Sequence, residues 1–403
     1  MERSFLESEL LPAYRRWCAD RNHTSVHRIT GGQGLANRAY KFRIYPNREQ
    51  EVLMKKTFGC CRFVYNRMLS DKIEAYKNTG KMLRTTPAMY KKEFAWLREV
   101  DSLALANVQL HLEQAYRRFF DASANQFPKF KSKHRSRKSY TTNMVNGNLR
   151  LSDGKLRLPK VGEVRIRKHR IIPDGWKLKS VTISQESTEK FFAALLFEYP
   201  DCESQAAGVP AEDAEILGID FAMNGMAVFS DGTRADSPGF YRKAQEKLSR
   251  EQRKLSHCVR GSRNYVKQKV RLAKAHEKVR NQRKDFQHKL SRRLADLFDA
   301  VSVEDLDMKA MSRGLNFGKS VMDDGFGSFR DMLSYKLSDQ KKPLIRIGRF
   351  YPSSKRCSVC GNIKSELRLD ERIYHCTCGN RMDRDVNAAV NIREEGRRIM
   401  MAG

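Results

Sequence analysis

The chain has 403 residues, enough for two or three domains with a sizeable core, and it lacks any run of 18 apolar residues that could span a membrane. It carries 78 Lys and Arg against 47 Asp and Glu, a formal net charge of +31, which excludes an ordinary enzyme of small substrates and favours a polyanionic partner. Because the basic residues are spread along the whole length and no lipid-anchor motif occurs, nucleic acid suits this charge better than a membrane surface.

The first part of the chain is an extension of 37 residues that could be disordered and in which no chemistry can be identified. A strand is predicted over 39–45, where apolar or aromatic side chains alternate with basic ones. Asn47, followed three residues later by Gln50, has the capping-box pattern that begins a helix. Helical periodicity then continues, with a break at Gly80, to about residue 124.

A basic segment and a series of short strands follow. Residues 129–138 contain six Lys or Arg and no acid. Such a run is commonly a solvated face, but with this net charge a segment that contacts phosphates is at least as well supported. Alternating strands then continue to Tyr199, with a hairpin signal at Asp153 and Gly154, and predict a small β-barrel rich in Arg and Lys.

Two carboxylates lie within apolar segments farther along the chain. Asp220 lies inside the predicted strand EILGIDFAM, where a buried charge is costly unless it is paired or bound to a metal. Glu304 lies in a strand over 300–306, and by alternation it shares a polar face with Ser302. Taken singly, each acid could equally be an ordinary surface or capping residue.

Two long basic helices are predicted between these acids, over 240–257 and 262–297. Residues 241–300 contain 19 Lys or Arg and 6 Asp or Glu, a net charge of +13. The second helix keeps an apolar stripe that is expected to pack, formed by Leu272, Val279, Phe286, Leu290, Leu294 and Leu297. Its other face is expected to contact phosphates, with a solvated helical hairpin as the alternative.

The C-terminal part of the chain contains four cysteines in two close pairs. Cys357 and Cys360 form a C-x-x-C turn, Cys376 and Cys378 form a C-x-C turn, and a glycine follows each pair. Two such turns can direct four thiolates at one tetrahedral zinc ion. Disulfides are the less favoured alternative, because a chain without a signal peptide is expected to keep its thiols reduced. The short second spacing also leaves His375 with Cys378 as a less favoured ligand pair.

A third group of acids, Asp383 and Asp385, directly precedes a helix-forming segment. An acid in this position is most often a helix cap, although it can also point at a cation. Two strand-borne acids and one acid at a helix terminus are what a two-metal phosphodiesterase needs, because carboxylate oxygens hold two Mg²⁺ ions. One ion activates water and the other stabilises the leaving 3′ oxygen.

Seven segments carry a resemblance to a known family. In chain order they are AYKFRIYPNREQ, FGCCRFVYN, LGIDFAMN, VSVEDLDM, GFGSFRDMLSYK, YPSSKRCSVCG and DRDVNAAVNI. Their order and spacing resemble the TnpB (OrfB) family, transposon-encoded relatives of the type V CRISPR effectors, from about residue 38 to the end of the chain. The chain departs from the family pattern in its N-terminal extension and in the C-x-C spacing of the second cysteine pair.

The resemblance implies a mobile-element, RNA-guided and metal-dependent DNA endonuclease that cuts DNA matched to a guide RNA next to a short target-adjacent motif. It implies three catalytic Mg²⁺ ligands, which are Asp220, Glu304 and Asp385. The third ligand is Asp385 rather than Asp383 because the family's acid directly precedes x-N-A-A. It further implies four structural Zn²⁺ ligands, which are Cys357, Cys360, Cys376 and Cys378.

The fold implied by the resemblance is a multi-domain α/β protein with an RNase H-like (RuvC) nuclease domain, an inserted zinc ribbon and an N-terminal wedge β-barrel interrupted by a helical recognition lobe. The expected boundaries are 1–37 for the extension, 38–50 and 125–205 for the wedge barrel, 51–124 for the recognition lobe, 206–349 and 381–403 for the nuclease domain, and 350–380 for the zinc ribbon, which would bind target nucleic acid.

The implied partners are a guide RNA from the element's own 3′ region and target double-stranded DNA, bound by a monomer in a prokaryotic cytoplasm, at the nucleoid. Because base pairing supplies the sequence specificity, the protein mainly needs a broad basic channel. Ten side chains are candidate nucleic-acid contacts: Lys129, Lys131, Arg135, Arg137, Lys138, Lys267, Arg271, Lys274, Lys278 and Arg283.

Three other functions are compatible with parts of this pattern. A nuclease-inactive, RNA-guided repressor would share the scaffold but lack one or more of the acids, and all three are present. A transposase could use the same acids to join strands, because both reactions are metal-assisted attacks on a phosphodiester. A purely structural zinc-ribbon binder would leave Asp220 and Glu304 unexplained.

Overall fold

The computed structural model describes residues 35–121, 126–200, 212–221, 225–236, 238–305, 325–368 and 370–402. The chain divides into two compact units, Met1–Ser204 (unit 1) and Gln205–Gly403 (unit 2). Most of the extension predicted over 1–37 lies outside the described residues. Its last three residues belong to the first strand, which starts at Leu35 rather than near residue 38.

Unit 1 opens with strand β1 (Leu35–Tyr45) and helix α1 (Arg48–Thr79). The predicted capping box is confirmed: the Gln50 N–H donates to the Asn47 side chain and the Asn47 N–H donates to the Gln50 side chain. The helix ends at Gly80, whose φ of 66° is left-handed and favours glycine. Three shorter helical elements follow, which are α2 (Pro87–Glu93), a 3₁₀ helix (Ala95–Glu99) and α3 (Ser102–Asp121).

The rest of unit 1 is a seven-stranded antiparallel sheet in the order β2-β6-β7-β1-β5-β4-β3. The added strands are β2 (Lys138–Asn143), β3 (Arg150–Ser152), β4 (Lys155–Leu158), β5 (Gly162–Arg167), β6 (Lys177–Gln185) and β7 (Phe191–Pro200). The predicted hairpin is confirmed, because β3 and β4 pair across Asp153 and Gly154. The predicted barrel is not closed: over the strands described here, β2 and β3 are the two edges and no pairing joins them.

Unit 2 is built on a five-stranded mixed sheet in the order β10-β9-β8-β11-β12. Its strands are β8 (Ile216–Asp220), β9 (Ala227–Phe229), β10 (Arg234–Ala235), β11 (Ala300–Glu304) and β12 (Leu344–Ile347). Strands β8, β11 and β12 are parallel, whereas β9 is antiparallel to both of its neighbours. The turn at Asp231 and Gly232 joins β9 to β10.

Four helices and a small ribbon complete the described part of unit 2. They are α4 (Phe240–Ser256), α5 (Arg263–Leu297), α6 (Phe326–Asp339) and α7 (Arg384–Ala402), with ribbon strands β13 (Ile373–His375) and β14 (Arg381–Asp383). Strand β14 pairs with β13, so the ribbon extends past the expected boundary at 380. The predicted apolar stripe of α5 is mostly buried or half-buried, but Leu297 is 55% exposed and does not belong to the core.

Helix α7 packs closely against β8 and β11. A Cβ atom at Gly218 would overlap the carbonyl oxygen of Ala389, and one at Gly396 would overlap the side chain of Ser302. Ser302 and Glu304 share one face of β11 by alternation, and Ser302 is fully buried because α7 covers that side of the strand. These contacts place the first turn of α7 near the ends of the strands that carry Asp220 and Glu304.

Candidate active site and metal centre

Asp220 and Glu304 end two neighbouring parallel strands. Asp220 is the last residue of β8 and Glu304 the last residue of β11. The register pairs Ile219 with Val303, so the two acids occupy the next position on each strand. Carboxyl ends of parallel strands meet at one edge of a sheet, where open α/β sheets commonly bind ligands. Both acids therefore lie at the same edge.

The third acid reaches this edge from helix α7. Asp385 lies in the first turn of α7. Its neighbour Asp383 has a different role, because its Oδ1 atom accepts hydrogen bonds from the N–H groups of Asp385 (3.0 Å) and Val386 (3.2 Å). Its Oδ2 atom accepts from Arg234 at 2.7 Å. Asp383 is thus occupied as a helix cap, as expected for an acid in this position.

The three acids lie close enough to influence one another's charge. Burial raises the pKa of Asp220 to about 8, with the negative charges of Glu304 and Asp385 acting in the same direction, while the Arg384 guanidinium opposes them. Burial also raises the pKa of Glu304. Half-buried carboxylates that repel one another form a strong site for divalent cations, because a cation replaces repulsion by attraction.

The spacing of the acids is wider than that of a single tight ion site. Over the residues that the structure describes, the four cysteines are the one set of three or more ligand groups whose atoms all lie within 4.8 Å of one another. The carboxylates of Asp220, Glu304 and Asp385 therefore span a larger space.

A network of buried polar side chains supports these acids. The hydroxyl of Ser353, which is 7% exposed, donates to the Glu304 carboxylate and lowers the pKa of that group against the effect of burial. The Ser353 carbonyl accepts a hydrogen bond of 2.8 Å from the side chain of Asn391. Asn391 is buried one turn after Asn387 on α7. Ser353 therefore links β11 to the helix that carries Asp385.

The same two asparagines hold the first cysteine turn. Asn387 donates to the carbonyl of Arg356 at 2.7 Å and accepts from the N–H of Ser358 at 3.0 Å. Asn391 donates to the same Arg356 carbonyl at 2.6 Å. Because both side chains are almost fully buried, each missing hydrogen bond would cost about 1–3 kcal/mol. The helix of Asp385 and the cysteine turn are thus fixed to one another.

The four cysteines form one cluster, as predicted. The Sγ atoms of Cys357 and Cys378 lie 3.7 Å apart, and those of Cys360 and Cys376 lie 3.5 Å apart. A tetrahedral ion with zinc–sulfur bonds of about 2.3 Å separates its sulfurs by about 3.8 Å. These distances exclude disulfides, whose sulfurs lie about 2.05 Å apart. The donor set therefore fits a tetrahedral Zn²⁺ ion.

Backbone hydrogen bonds close both cysteine turns. The N–H groups of Gly361 and Gly379 donate to the carbonyls of Cys357 and Cys376, each at 3.0 Å. Burial alone would raise the pKa of Cys357, but hydrogen bonds from backbone N–H groups and from Asn380 lower it to about 6. The alternative ligand His375 lies on β13 outside this cluster. The C-x-C turn therefore supplies two sulfurs, as the favoured interpretation expected.

The remaining cysteines are ordinary thiols where the structure describes them. Cys60 and Cys61 are buried in unit 1, and burial raises the pKa of Cys60 to about 11 and that of Cys61 to about 12. Cys258 is half-buried. Cys18 and Cys202 lie outside the described residues.

The predicted nucleic-acid contacts fall on two surfaces, one in each unit. Lys129, Lys131, Arg135 and Arg137 lie before β2, and Lys138 begins that strand. On α5, four predicted contacts follow one another at helical spacing and are all exposed: Lys267, Arg271, Lys274 and Lys278. Arg283 differs, because its side chain is half-buried beside Gly325 at the start of α6.

Sequence reasoning missed the supporting residues Ser353, Asn387 and Asn391. A signal was present, because the two asparagines recur four residues apart directly after Asp385, which puts them on one face of a helix. Their partners could not be found in this way. The carbonyls to which the two asparagines donate belong to a turn about thirty residues earlier in the chain.

Three family models match parts of the chain. One described as "Probable transposase" matches residues 201–314, one described as "Helix-turn-helix domain" matches 36–81, and one described as "Cas12f1-like, TNB domain" matches 326–392. The third covers α6, β12, the cysteine ribbon and the first half of α7. The second description does not suit the structure, because residues 36–81 form most of β1 and one continuous helix, α1.

The fold is shared with a solved type V effector. The chain of the "Cryo-EM structure of the Cas12f1-sgRNA-target DNA complex" matches with a TM-score of 0.54 and 12% identity, over 89% of this chain and 99% of the other. This places the protein in the fold class of RuvC-containing type V effectors.

No helix within the described ranges is long and apolar enough to cross a bilayer.

Full-length relatives define the family more narrowly. A protein of Streptomyces pristinaespiralis named "Putative RNA-guided DNA endonuclease" is 34% identical, over 89% of each chain. "Putative RNA-guided DNA endonuclease InsQ" of Escherichia coli is 30% identical, over 91% of this chain and 94% of the other. The chain therefore belongs to the TnpB (OrfB) family, as its motifs indicated.

Proposed function

We propose that this protein is an RNA-guided, metal-dependent DNA endonuclease encoded by a mobile element. It would cut DNA matched to its guide RNA, next to a short target-adjacent motif. The observation that carries the proposal is the meeting of Asp220, Glu304 and Asp385 at one edge of a sheet. The names of its full-length relatives support the same activity.

The acids suit hydrolysis assisted by two metal ions. Asp220, Glu304 and Asp385 would hold two Mg²⁺ ions, since hard carboxylate oxygens are the ligands that Mg²⁺ prefers. When bound, the ions would lower the pKa of an attacking water and stabilise the departing 3′ oxygen. Ser353 keeps one Glu304 oxygen in a fixed direction, and α7 holds Asp385 against the strand ends.

The architecture supports the remaining assignments. In the sheet of unit 2, β8 has the antiparallel strand β9 on one side and the parallel strands β11 and β12 on the other. This order fits an RNase H-like (RuvC) domain. We assign the four-cysteine ribbon as a Zn²⁺-binding element that contacts target nucleic acid, the sheet of unit 1 as the wedge, and α1 to α3 as the recognition lobe. The ribbon is tied to the active-site helix through Asn387 and Asn391.

The proposed nucleic-acid partners are supported by the net positive charge of the chain. A net charge of +31 supports binding to a guide RNA, transcribed from the element's own 3′ region, and to double-stranded target DNA. We propose that the protein acts as a monomer in this ribonucleoprotein, within a prokaryotic cytoplasm and at the nucleoid.

The test is to express the protein with its own downstream flanking DNA, purify the complex and sequence the bound RNA. The same preparation is then incubated with matched and mismatched plasmids in Mg²⁺, beside an Asp220→Ala variant. We expect one discrete RNA and cleavage of the matched plasmid alone, with cleavage lost in the variant. Bound RNA without cutting would favour a guided repressor, and joined strands without bound RNA would favour a transposase.

A further inference from the structure

A second feature of the protein, a basic pocket in unit 1, lies outside the acid and cysteine sites. The pocket has a volume of about 340 Å³. Its walls come from α1, from α3, from the segment before β2 and from β2 itself. The basic run 129–138 therefore does not extend as an isolated arm, because most of it folds back to line a cavity.

The ionisable side chains that line the pocket are basic. Six lining side chains carry a basic group and none is acidic: Arg62, His111, Lys131, Lys133, Arg137 and Lys138. Three of the other lining residues are apolar or aromatic and buried, namely Phe58, Cys61 and Tyr140. The pocket thus combines an apolar floor with a basic wall, and four hydroxyl groups add hydrogen-bonding capacity: Ser132, Ser136, Ser139 and Thr141.

The segment that carries the basic wall is held in one conformation. The side chain of Asn66 on α1 accepts a hydrogen bond from the N–H of Lys131 at 2.7 Å and donates to its carbonyl at 2.9 Å. The Lys131 ammonium lies 3.9 Å from the centre of the Tyr65 ring. Ser132 and Ser136 close the turn, with hydrogen bonds of 2.9 and 3.1 Å between them. The site is therefore built before any ligand arrives.

Part of the basic wall has no ion pair to balance it in the part of the chain that the structure describes. Within the described residues, no ion pair is found for Arg62, Lys133 or Arg137. Burial lowers the pKa of Lys131, and burial together with the Lys131 ammonium lowers the pKa of His111. Cations that are crowded and partly removed from water favour an anion between them, which is how phosphates are commonly bound.

We propose that this pocket binds a backbone or terminal phosphate of a nucleic-acid strand, with the adjoining nucleoside over the apolar floor. The volume exceeds that of a lone phosphate and lies at the lower end of the range for small-ligand sites. The proposal rests on the proposed function, since it names where one strand is held. Lys131, Arg137 and Lys138 thereby gain a defined role, whereas Lys129 and Arg135 do not line the pocket.

The experiment measures binding by the full-length protein without any cleavage step. The probes are fluorescent five-nucleotide strands of RNA and of DNA, each with and without a 5′ phosphate, and the readout is anisotropy at several salt concentrations. The pocket variant is Lys133→Gln/Arg137→Gln, in which both altered side chains are exposed, so folding should be retained. The control is Arg150→Gln/Arg157→Gln, which removes the same charge from an exposed cross-strand pair outside the pocket.

We expect the pocket variant to bind at least about tenfold more weakly than the control. The slope of log affinity against log salt concentration should become shallower by about 0.7 for each phosphate that the variant no longer neutralises. A preference for RNA or for DNA identifies the strand, and a need for the 5′ phosphate identifies a strand end. Equal affinities of the two variants, or no binding by the unaltered protein, would overturn the proposal. Plasmid cleavage tests the proposed function separately, so a failure of one does not decide the other.

Discussion

At the scale of single residues, burial would keep Asp220 protonated at neutral pH in the Mg²⁺-free protein, whereas an exposed aspartate would be ionised. Its pKa in the folded chain is about 8, against 3.8 for an ordinary aspartate. The folded state therefore binds more protons than the unfolded state between these values, and the free energy of unfolding falls as the pH rises through this window. Each unit of pKa difference is worth about 1.4 kcal/mol, so the loss amounts to several kcal/mol.

The first prediction is that Asp220→Asn abolishes cleavage but stabilises the Mg²⁺-free protein above pH 8. Asparagine cannot ionise, so it removes the repulsion with Glu304 and Asp385. Denaturant unfolding of both proteins, measured from pH 4 to pH 9 without Mg²⁺, checks this. The two curves should converge at the acid end, and a variant that is less stable at every pH would contradict the argument.

The second prediction concerns Ser353, which holds the Glu304 carboxylate. In Ser353→Ala we expect cleavage to slow by about 10- to 100-fold, the usual effect of removing a hydrogen bond to a metal ligand. Higher Mg²⁺ concentrations should restore part of the rate, because the defect lies in ligand orientation. The measurement is the cleavage rate as a function of Mg²⁺ concentration.

Ser354→Ala provides a matched control for that experiment. Ser354 is the next residue and is half-buried, but its side chain makes no hydrogen bond to the acids in the part of the chain that the structure describes. Its rate should stay within about twofold of the unaltered protein, as for most substitutions away from special features. Equal losses in both variants would assign the effect to a general disturbance of the turn.

At the scale of secondary structure elements, the contact of α7 with the sheet depends on glycine. The third prediction is that Gly218→Ala destabilises unit 2 by about 1–3 kcal/mol or more, because overpacking forces the backbone apart. A Cβ atom there would overlap the Ala389 carbonyl and lie 2.7 Å from the Arg393 nitrogen. The expected fall in melting temperature is about 2–4 °C per kcal/mol, measured by calorimetry.

Gly327→Ala is the control for this substitution. Gly327 lies in α6, and a Cβ atom added there meets no atom within 4 Å. Alanine should be neutral or slightly stabilising at this position, since it has the higher helix propensity. If Gly218→Ala were equally harmless, α7 would not be packed against β8 as closely as the structure indicates.

The elements that could be predicted from the sequence are those set by local signals. The capping box at Asn47, the hairpin at Gly154 and the break at Gly80 each depend on residues within one turn of each other. The acids and the cysteines were selected as site candidates through motif order and spacing. The predictions that failed, barrel closure and the burial of Leu297, depend on distant contacts. The alternation of side chains shows which residues share a face of a strand, but it does not show what packs against each face.

At the scale of the whole molecule, the two units have separate cores. Each cluster of buried apolar residues among the described ranges draws on one unit only. The fourth prediction is therefore that a fragment of residues 35–200 folds alone and unfolds cooperatively on heating. Circular dichroism of the fragment beside the full chain checks this, and a fragment without a cooperative transition would show that unit 1 needs unit 2.

The position of α7 has a consequence for how the protein is made. The helix supplies Asp385 and covers β8 and β11, yet it is the last described element of the chain. Any product that stops before residue 384 carries the core and the basic pocket of unit 1, but only two of the three carboxylates. The proposed nucleic-acid pocket is thus translated before the complete acid set, so incomplete chains would bind a strand without cutting it.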